Sequence, residues 1–408
     1  MISLFILGLL FLLISWNLYY ATYWKKNLVV SLNFLQDYVY AGEQAQMTEQ
    51  IENRKKLPLP VLEVSFHADK KLSFLDCENT NVSDYVYKRD IFALLGHQRI
   101  TRKLAIHCPK RGCYRIDESW MTTFSLLHRR RFSVKSLVNT ELYVYAARTN
   151  VSDIVVTCER LMGSIQCAKR LYEDPFAFSS IREYTATDPM NTINWKASAK
   201  TGELMVNTFE STLTEKVMIY LDMEDGAILK YEYLVEESVS IASSLAQKFI
   251  ARGMEVGICV NVNSTNSADS HIETDISDKV NSELNKDKNL TENLHMILIT
   301  PASGRKQLTK IEKALAKCRS ENAIPFSTLL STQSDVHRQL LPQSLFDSPE
   351  DTVMIFISKN AERNQPAIER FVGNRQQAIW VLPYTKNDTC SIKTPDNTHL
   401  IKREVERN

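Results

Sequence analysis

The first 24 residues form a predominantly apolar segment. Met1–Trp24 carries no charged side chain. Aromatic residues crowd its end, at Trp16, Tyr19, Tyr20, Tyr23 and Trp24. As a helix the segment would extend about 36 Å, enough to cross a hydrocarbon layer of about 30 Å. The pattern predicts a transmembrane anchor over residues 1–24, with the aromatic side chains at the membrane surface.

The charges that flank this segment predict its orientation. No Lys or Arg precedes it, whereas Lys25 and Lys26 follow it directly. Because basic residues favour the cytoplasmic side, we expect a single-pass protein of the cell inner membrane with its bulk in the cytoplasm. A cleaved signal peptide is the alternative, but such peptides carry basic residues before the apolar core and small residues after it.

Alternation of apolar and polar residues with a period of two dominates residues 28–150. Leu62–His67 and Ile100–Ile106 are examples, and turn sequences such as Lys110-Arg111-Gly112 separate these runs. A period of two places the apolar side chains on one face of a strand. Short strands with regular turns predict a β-rich, sandwich-like domain over 28–150.

From residue 216 onward, continuous apolar runs alternate with stretches of helical periodicity. The runs are Val217–Leu221, Val256–Val260, Val353–Ile357 and Ala378–Leu382, and the helical stretches are 229–252, 308–318 and 361–371. Strands buried on both faces are typical of parallel sheets covered by helices. We therefore predict a three-layer α/β domain over 216–385, joined to the β-rich domain by a connecting segment, 151–215.

Three further segments complete the organisation. Residues 261–293 are polar and rich in Asn, Ser, Asp and Lys, which predicts a disordered surface insertion. Residues 386–408 are also polar and predict a loose tail. We interpret the apolar run 294–299 as the lead into a helix.

Composition narrows the classes of function. The chain has 408 residues, a hydrophobic fraction of 44% and a net charge of +1, so it has enough apolar residues for a core and is not a polycation built for nucleic acid. It has only 11 Gly and no glycine-rich phosphate loop, which argues against a nucleotide site. Its eight cysteines contain no CxxC pair and are expected to be buried thiols. A disulfide between Cys108 and Cys113 would require an oxidising compartment.

Residues 97–135 are strongly basic. They contain ten Lys and Arg residues against two acids, Asp117 and Glu118. On a membrane-tethered domain this segment could contact anionic lipid headgroups, at about 1 kcal/mol for each well-placed basic residue. An acidic partner protein, or a solvated face balanced elsewhere, fits the same pattern.

The connecting segment carries a specific arrangement of residues. Arg182, Glu183 and Tyr184 are followed at fixed spacing by Asp188, Ile193, Trp195, Ala197, Ala199, Leu204 and Glu210. This arrangement resembles the signature of a bacterial family catalogued as domain of unknown function 58. We expect Arg182, Glu183, Asp188 and Lys196 to form an ion-pair cluster with Trp195 packed beneath it. The cluster would lock a polar joint between domains or present a docking surface to a partner.

The resemblance covers most of the chain. It implies a membrane anchor, a β-rich segment with an Arg-Gly-x-Tyr strand (here Arg111-Gly112-Cys113-Tyr114), the signature, and a von Willebrand factor A-like α/β domain. Relatives are associated with MoxR-type AAA+ ATPases, which remodel or mature other proteins. The resemblance therefore implies an AAA+ ATPase as a protein partner.

The sequence predicts no metal site and no cofactor. Integrin-type A domains hold Mg²⁺ with a DxSxS motif, but here Glu224 and Gly226 stand where the serines after Asp222 would be. Lys359 stands where a further carboxylate would help, and its positive charge opposes cation binding. We interpret Asp222, Glu224 and Asp225 as a degenerate metal site.

These observations predict a non-enzymatic, membrane-anchored adaptor or scaffold that partners an AAA+ ATPase and does not bind nucleic acid. The chain has no HExxH and no GxSxG motif, and its eight histidines are scattered. Two alternatives stay open. One is a metal-dependent ligand-binding or adhesion domain that uses Asp222. The other is an envelope hydrolase, which requires the body of the protein to lie outside the membrane.

Overall fold

A computed structural model describes most of the chain. The residues that it leaves undescribed are 1, 76–79, 83–84, 126–129, 170–177, 186–187, 189, 210–215, 226–230, 263–295, 332–351, 374–377, 387–397 and 406–408. The described residues divide into two compact units. Unit 1 comprises Met1–Arg148 with Leu315–Cys318, and unit 2 comprises Thr149–Ala314 with Arg319–Asn408. The segment 151–215, which we predicted to be a connection, therefore groups with unit 2.

Unit 1 begins with the apolar helix α1, Ile2–Tyr23. Its apolar side chains are not confined to one face, and large ones such as Phe5 and Phe11 are exposed. Over Phe5–Tyr23 the mean hydropathy is 1.7 and only 6% of the residues are buried, so α1 is long and apolar enough to span a membrane. This pattern differs from that of surface helices of soluble proteins, which carry polar residues on one side.

The end of α1 differs from the predicted aromatic belt. Trp16, Tyr19 and Tyr23 are exposed, but Tyr20 and Trp24 are each only 2% exposed and belong to a core cluster of unit 1. The hydroxyl of Tyr20 lies 3.2 Å from Oγ1 of Thr123. Two of the five aromatic residues therefore fix the helix end to the β-rich unit. Helical spacing, with Tyr20 and Trp24 four positions apart, places them on one face.

The described strands of unit 1 form two sheets. One has the order β1-β3-β8-β5 and the other the order β2-β10-β9-β4-β7-β6. Their pairings are antiparallel except that β2 and β10 are parallel. The strands are β1 Leu28–Phe34, β2 Tyr38–Tyr40, β3 Gln44–Asn53, β4 Leu59–Asp69, β5 Ser73–Phe74, β6 Thr80–Val82, β7 Tyr85–Leu94, β8 Arg99–His107, β9 Gly112–Phe124 and β10 Arg131–Tyr145.

The core of unit 1 lies between these sheets. Met47 and Leu104 of the first sheet belong to the same buried cluster as Phe66 and Ile116 of the second. In β3, burial alternates residue by residue as the sequence pattern predicts. Burial of alternate side chains from both sheets is what holds two such sheets face to face.

A group of charged side chains interrupts this core. Glu49, Lys88 and Asp90 are all buried. The guanidinium of Arg102 lies 2.9 Å from Oδ1 of Asp90, and Nζ of Lys88 lies 4.0 Å from the same atom. Within the described part of the chain, neither carboxylate oxygen of Glu49 has a hydrogen-bond partner. Burial, with the negative charge of Asp90 adding to it, raises the pKa of Glu49 to about 7.

Unit 2 is built on a six-stranded sheet of order β15-β14-β13-β16-β17-β18. The strands are β13 Lys216–Leu221, β14 Glu255–Val260, β15 Ile297–Ala302, β16 Thr352–Ile357, β17 Ala378–Tyr384 and β18 Thr398–Glu404. Strand β15 is antiparallel to β14, and the other pairs are parallel. The four central strands, β14, β13, β16 and β17, are buried along nearly their whole length, which matches their continuous apolar sequences.

Helices follow several of these strands, as predicted. They are α4 Glu232–Ala251, α5 Arg305–Lys317 and α6 Ala361–Val372, with a short helical stretch at 326–331. Helix α2, Ser152–Lys169, precedes the signature segment, which contains β11 Phe178–Glu183, α3 Trp195–Thr201 and β12 Met205–Phe209. Short 3₁₀ turns occur at Met190–Thr192 and Ser320–Asn322. The alternation of strand and helix confirms a mixed α/β architecture for unit 2.

Close contact between β14 and its neighbours requires Gly257. A Cβ atom there would lie 2.8 Å from the backbone oxygen of Ile299 and 2.7 Å from Sδ of Met218. The missing side chain therefore lets β15 pair closely with β14. A glycine inside a strand often marks such an approach of another backbone.

Three predictions about segment boundaries were wrong. The run 294–299 does not lead into a helix, because Ile297–Ala302 is strand β15, with Ile299 paired to Ile258. The predicted loose tail contains strand β18, whose solvent-facing positions make its sequence polar. Asn261, predicted to begin the insertion, is fully buried. The remainder of that insertion, from residue 263, lies outside the described residues.

Replacement of Glu49 by Gln tests the buried charge group. Since the pKa of Glu49 is higher in the folded than in the unfolded chain, folding favours its protonated form. The contribution of Glu49 is therefore fully present below about pH 4.5 and is lost as the pH rises through about 7. We expect urea unfolding of unit 1 to become easier by up to about 3 kcal/mol between pH 5 and pH 8, and Glu49→Gln to remove most of this change.

A matched control is Glu52→Gln on the same strand. Interaction with Arg54 lowers the pKa of Glu52, so this group is ionised in both states across that pH range. Glu52→Gln should therefore leave the pH dependence of the unfolding free energy unaltered. An unchanged slope in Glu49→Gln would contradict the assignment.

Candidate functional site

The signature segment folds as a strand pair joined by a turn and a short helix. Strand β11 pairs antiparallel with β12, with Arg182 opposite Val206 and Glu183 opposite Met205. The backbone amide of Tyr184, which is half-buried, donates to the carbonyl of Leu204 over 2.8 Å. Ile193 and Val206 are buried within the segment. These contacts fix the chain between the two strands.

Asp188 closes the turn after β11. Nη1 and Nη2 of Arg182 donate to its two carboxylate oxygens over 2.7 and 2.6 Å. The amide and the hydroxyl of Thr185 also donate to it, each over 2.8 Å. The hydrogen bonds from Arg182 and Thr185 hold the pKa of Asp188 well below its usual range. An arginine that donates two parallel hydrogen bonds to one carboxylate fixes the relative orientation of the two side chains. The pair therefore holds the turn after β11 in one geometry.

The structure brings together only part of the predicted charge cluster. Arg182 and Asp188 pair as expected, but among the described residues Glu183 contributes only its backbone carbonyl, which accepts from Nη1 of Arg182 over 3.1 Å. Glu183 and Lys196 are both exposed. Glu210, the last signature residue, lies outside the described residues.

Asn194 and Ser198 position the helix of the signature, and sequence analysis missed both. Oδ1 of Asn194 accepts from the amide of Ala197 over 3.0 Å and caps the start of α3. Oγ of Ser198 donates to the carbonyl of Asn194 and accepts from the amide of Met205, over 2.8 and 2.9 Å. The sequence signal was available, since Asn directly before a short helical run is a common N-cap.

Trp195 does not pack beneath the charge cluster. It is 67% exposed, so that prediction was wrong. Ile181, Met190 and Leu204 of the same segment are exposed as well, Met190 at 74%. We refer to Ile181, Met190, Trp195 and Leu204 as the signature patch. Helix α3 begins at Trp195, so Asn194 caps the helix while the indole beside it faces solvent.

The carboxyl end of the α/β sheet holds a second polar group, centred on Asp222. Its side chain is buried directly after β13. Oδ1 accepts from the amide of Glu224 and from Nδ2 of Asn261, both over 2.9 Å. Oδ2 accepts from Oγ of Ser358 over 2.7 Å and from Nδ2 of Asn364 over 2.8 Å. Burial raises the pKa of Asp222, and these hydrogen bonds oppose that shift.

The two carboxylates that follow are paired with basic side chains. Asp225 forms an ion pair with Lys359, and Oε1 of Glu224 lies 2.6 Å from Nη1 of Arg363. Among the described residues, no three His, Cys, Asp or Glu side chains are placed to hold a metal ion. A hard cation needs several oxygen ligands, whereas Asp222 here meets N–H and O–H donors. Sequence analysis found Lys359 but missed Asn261, Ser358, Arg363 and Asn364.

The basic segment 97–135 does not form one free basic surface. Arg111 is buried, Arg102 pairs with Asp90, and Arg131 lies 3.0 Å from Oε1 of Glu63. Lys135 forms an ion pair with Glu118. Much of its positive charge is therefore neutralised by acids of the same unit, some of them outside the segment.

Five cysteines of the described residues are free thiols. Cys108, Cys158, Cys259 and Cys318 are buried, and Cys113 is half-buried. Burial raises the pKa of Cys108 to about 11 and that of Cys318 to about 12. These thiols are protonated at neutral pH and are poor nucleophiles.

Comparison with protein families gives a match over the segment that contains the Arg182–Asp188 pair and Asp222. Residues 180–339 match the model of a family described as protein of unknown function DUF58. The match confirms the resemblance seen in the signature. Comparison with curated proteins found no match.

Comparison with solved structures gives only distant similarities. A CARDB domain from Pyrococcus furiosus is 15% identical, with a TM-score of 0.20, and the match covers 28% of this chain and 93% of that one. A non-cellulosomal cohesin from Archaeoglobus fulgidus is 11% identical, with a TM-score of 0.21 and coverage of 31% and 96%. Similarities of this size carry no argument about function.

Asp222→Ala tests the structural role of the carboxylate. The substitution leaves the donors of Asn261, Ser358 and Asn364 buried without their acceptor, at a cost of about 3 kcal/mol in the free energy of unfolding. Native-state hydrogen exchange of the β13, β14 and β16 amides measures this loss. Glu203→Ala, at an exposed carboxylate of the same unit, should change it by less than about 0.5 kcal/mol. Equal effects of the two variants would contradict a structural role for Asp222.

Proposed function

We propose that this protein is a membrane-anchored cytoplasmic adaptor or scaffold whose signature segment docks a protein partner. The observation that supports this proposal most directly is the exposure of the Trp195 side chain. A large aromatic side chain in water gains most from burial in a partner's pocket, and tryptophan is over-represented among residues that dominate binding energy. The hydrogen bonds of Asp188 and Asn194 hold the surrounding chain, so Trp195 would bind without a large ordering cost.

The apolar helix α1 supports the membrane part of the proposal. Its length and composition suit a single span of the inner membrane, and Lys25 and Lys26 favour a cytoplasmic body. The buried Tyr20 and Trp24 would hold unit 1 close to the membrane surface. Basic residues of 97–135 that keep their charge exposed would add contact with anionic lipids.

An AAA+ ATPase of the MoxR type is the proposed partner. This follows from the resemblance to the DUF58 family, whose relatives are associated with such ATPases. The exposed Lys196 and Lys200 follow Trp195 in helix α3 and would suit an acidic rim on the partner. In this proposal unit 2 is a degenerate von Willebrand factor A-like domain, and the order of its sheet and the place of Asp222 after β13 support that assignment.

The alternatives receive less support. Metal-dependent ligand binding at Asp222 would require a cation to displace the donors of Asn261, Ser358 and Asn364. It would also have to overcome the charges of Lys359 and Arg363. An envelope hydrolase would require the opposite orientation in the membrane.

Site-specific photo-crosslinking tests the docking surface. Benzoylphenylalanine is placed at position 195 of the full chain in membranes of the native host, and crosslinks are compared with ATP, with a non-hydrolysable analogue and without nucleotide. We expect a crosslinked AAA+ ATPase that depends on nucleotide. In co-purification, Trp195→Ala should reduce recovery of this ATPase by about tenfold or more, and Trp195→Phe by less.

Leu137 provides the control position, because it is 80% exposed but belongs to unit 1. Benzoylphenylalanine at 137 should not capture the same protein. Capture from both positions, or recovery that Trp195→Ala leaves unchanged, would contradict docking at the signature patch. Recovery of no AAA+ ATPase would contradict the partner.

A further inference from the structure

The second sheet of unit 1 carries a cavity on the face that points away from the core. Its volume is about 270 Å³, and its lining includes His67, Asp69, Tyr85, Asp117, Glu118 and Trp120. Phe66 and Val86, which neighbour His67 and Tyr85 in sequence, belong to the core cluster, so His67 and Tyr85 face outward. No part of the signature segment contributes to this cavity.

The pairing of β4 with β7 and β9 brings the aromatic side chains of the cavity close together. Asp69 pairs with Tyr85 and His67 with Tyr87 between β4 and β7, while Ser65 pairs with Trp120 between β4 and β9. The ring of His67 lies edge-on to Tyr87 and Trp120, with centroids 4.4 and 4.5 Å apart. Tyr85 is also edge-on to His67, at 6.5 Å. Of these rings, His67, Tyr85 and Trp120 line the cavity, and Tyr87 packs against His67 outside the lining.

A β-bulge supplies the carboxylates. The register of β9 and β10 shifts between Leu137 and Thr140. Along β9, Ile116 and Ser119 are buried, while the two residues between them, Asp117 and Glu118, are not. Consecutive strand residues normally face opposite sides, so the bulge turns both acidic side chains toward the outer face. Asp69 adds a third carboxylate from β4.

The charge of the cavity is negative. Arg115 is the single Lys or Arg among the lining residues that the structure describes, and it lies 3.8 Å from Asp117 and 3.4 Å from Glu141. Glu118 pairs with Lys135, outside the lining. Among the described residues, Asp69 makes no ion pair, and its Oδ1 accepts only from the amide of Lys71, over 2.9 Å. Burial lowers the pKa of His67, and the nearby negative charge of Glu118 opposes that shift.

We propose that this cavity binds an arginine side chain of a partner protein. Arginine is the cation that interacts with both the aromatic rings and the carboxylates of the lining. Its planar guanidinium stacks on aromatic faces and donates paired hydrogen bonds to a carboxylate such as Asp69. A lysine ammonium is a compact, strongly hydrated charge that gains less from the rings. A quaternary ammonium offers no N–H donor to the carboxylates. The surface lies on unit 1 and does not depend on the signature patch as a docking site.

Peptides that differ in one side chain test the proposal. The full chain in detergent micelles is titrated by calorimetry with acetyl-Gly-Arg-Gly-amide, with the same peptide carrying citrulline, the neutral isostere of arginine, or lysine, and with tetramethylammonium. We expect saturable binding of the arginine peptide and binding at least about tenfold weaker for the citrulline and lysine peptides. Asp69→Asn and Trp120→Ala should each weaken binding by about tenfold.

Matched variants keep the result interpretable. Asp37→Asn changes an exposed carboxylate of the same unit outside the cavity and should leave binding unchanged. Trp120→Phe preserves an aromatic face and should retain most of the affinity if Trp120→Ala fails to fold. Equal binding of the arginine and citrulline peptides would overturn the proposal. Preference for lysine or tetramethylammonium, no saturable binding, or an Asp37→Asn loss equal to that of Asp69→Asn would do the same.

Discussion

The buried carboxylate of Asp222 is the constraint on which the α/β unit depends. A charge removed from water must meet donors within the protein, and here those donors come from separate elements. Asn261 follows β14, Ser358 follows β16, and Asn364 lies in α6. Asn261 also donates to the carbonyl of Ile324, so the same group holds a further segment. The carboxyl end of the sheet is therefore tied together by one side chain.

This arrangement determines which surfaces are available for function. In open α/β sheets, ligands commonly bind at the carboxyl ends of the strands. In this protein that position is filled by the chain's own hydrogen bonds and by the ion pairs of Asp225 and Glu224. Exposed side chains elsewhere become the better candidates. Trp195 is the clearest in unit 2, because its neighbours are held by internal hydrogen bonds while the indole faces solvent.

Much of this could be predicted from the sequence, and the exceptions have physical reasons. Continuous apolar runs identified the central strands β13, β14, β16 and β17, because strands buried on both faces need no polar residues. The edge strand β18 is half polar, so its sequence resembled a tail. Tyr20 and Trp24 looked like membrane-surface aromatics because sequence cannot separate a lipid contact from a protein contact. The buried Glu49 sits at an inward position of an alternating strand, but composition gives no sign that a charge occupies the core.

Donors of the chain itself satisfy the buried carboxylate of Asp222, and we propose that it does not bind a cation. The most direct measurement is the NMR signal of the Asn261 and Asn364 side-chain amides in the full chain during titration with Mn²⁺, whose unpaired electrons broaden nearby resonances. Our account predicts that both amide signals persist with unchanged width at equimolar Mn²⁺. Selective broadening of these two signals, abolished in Asp222→Asn, would show that a cation reaches the carboxylate and would contradict it.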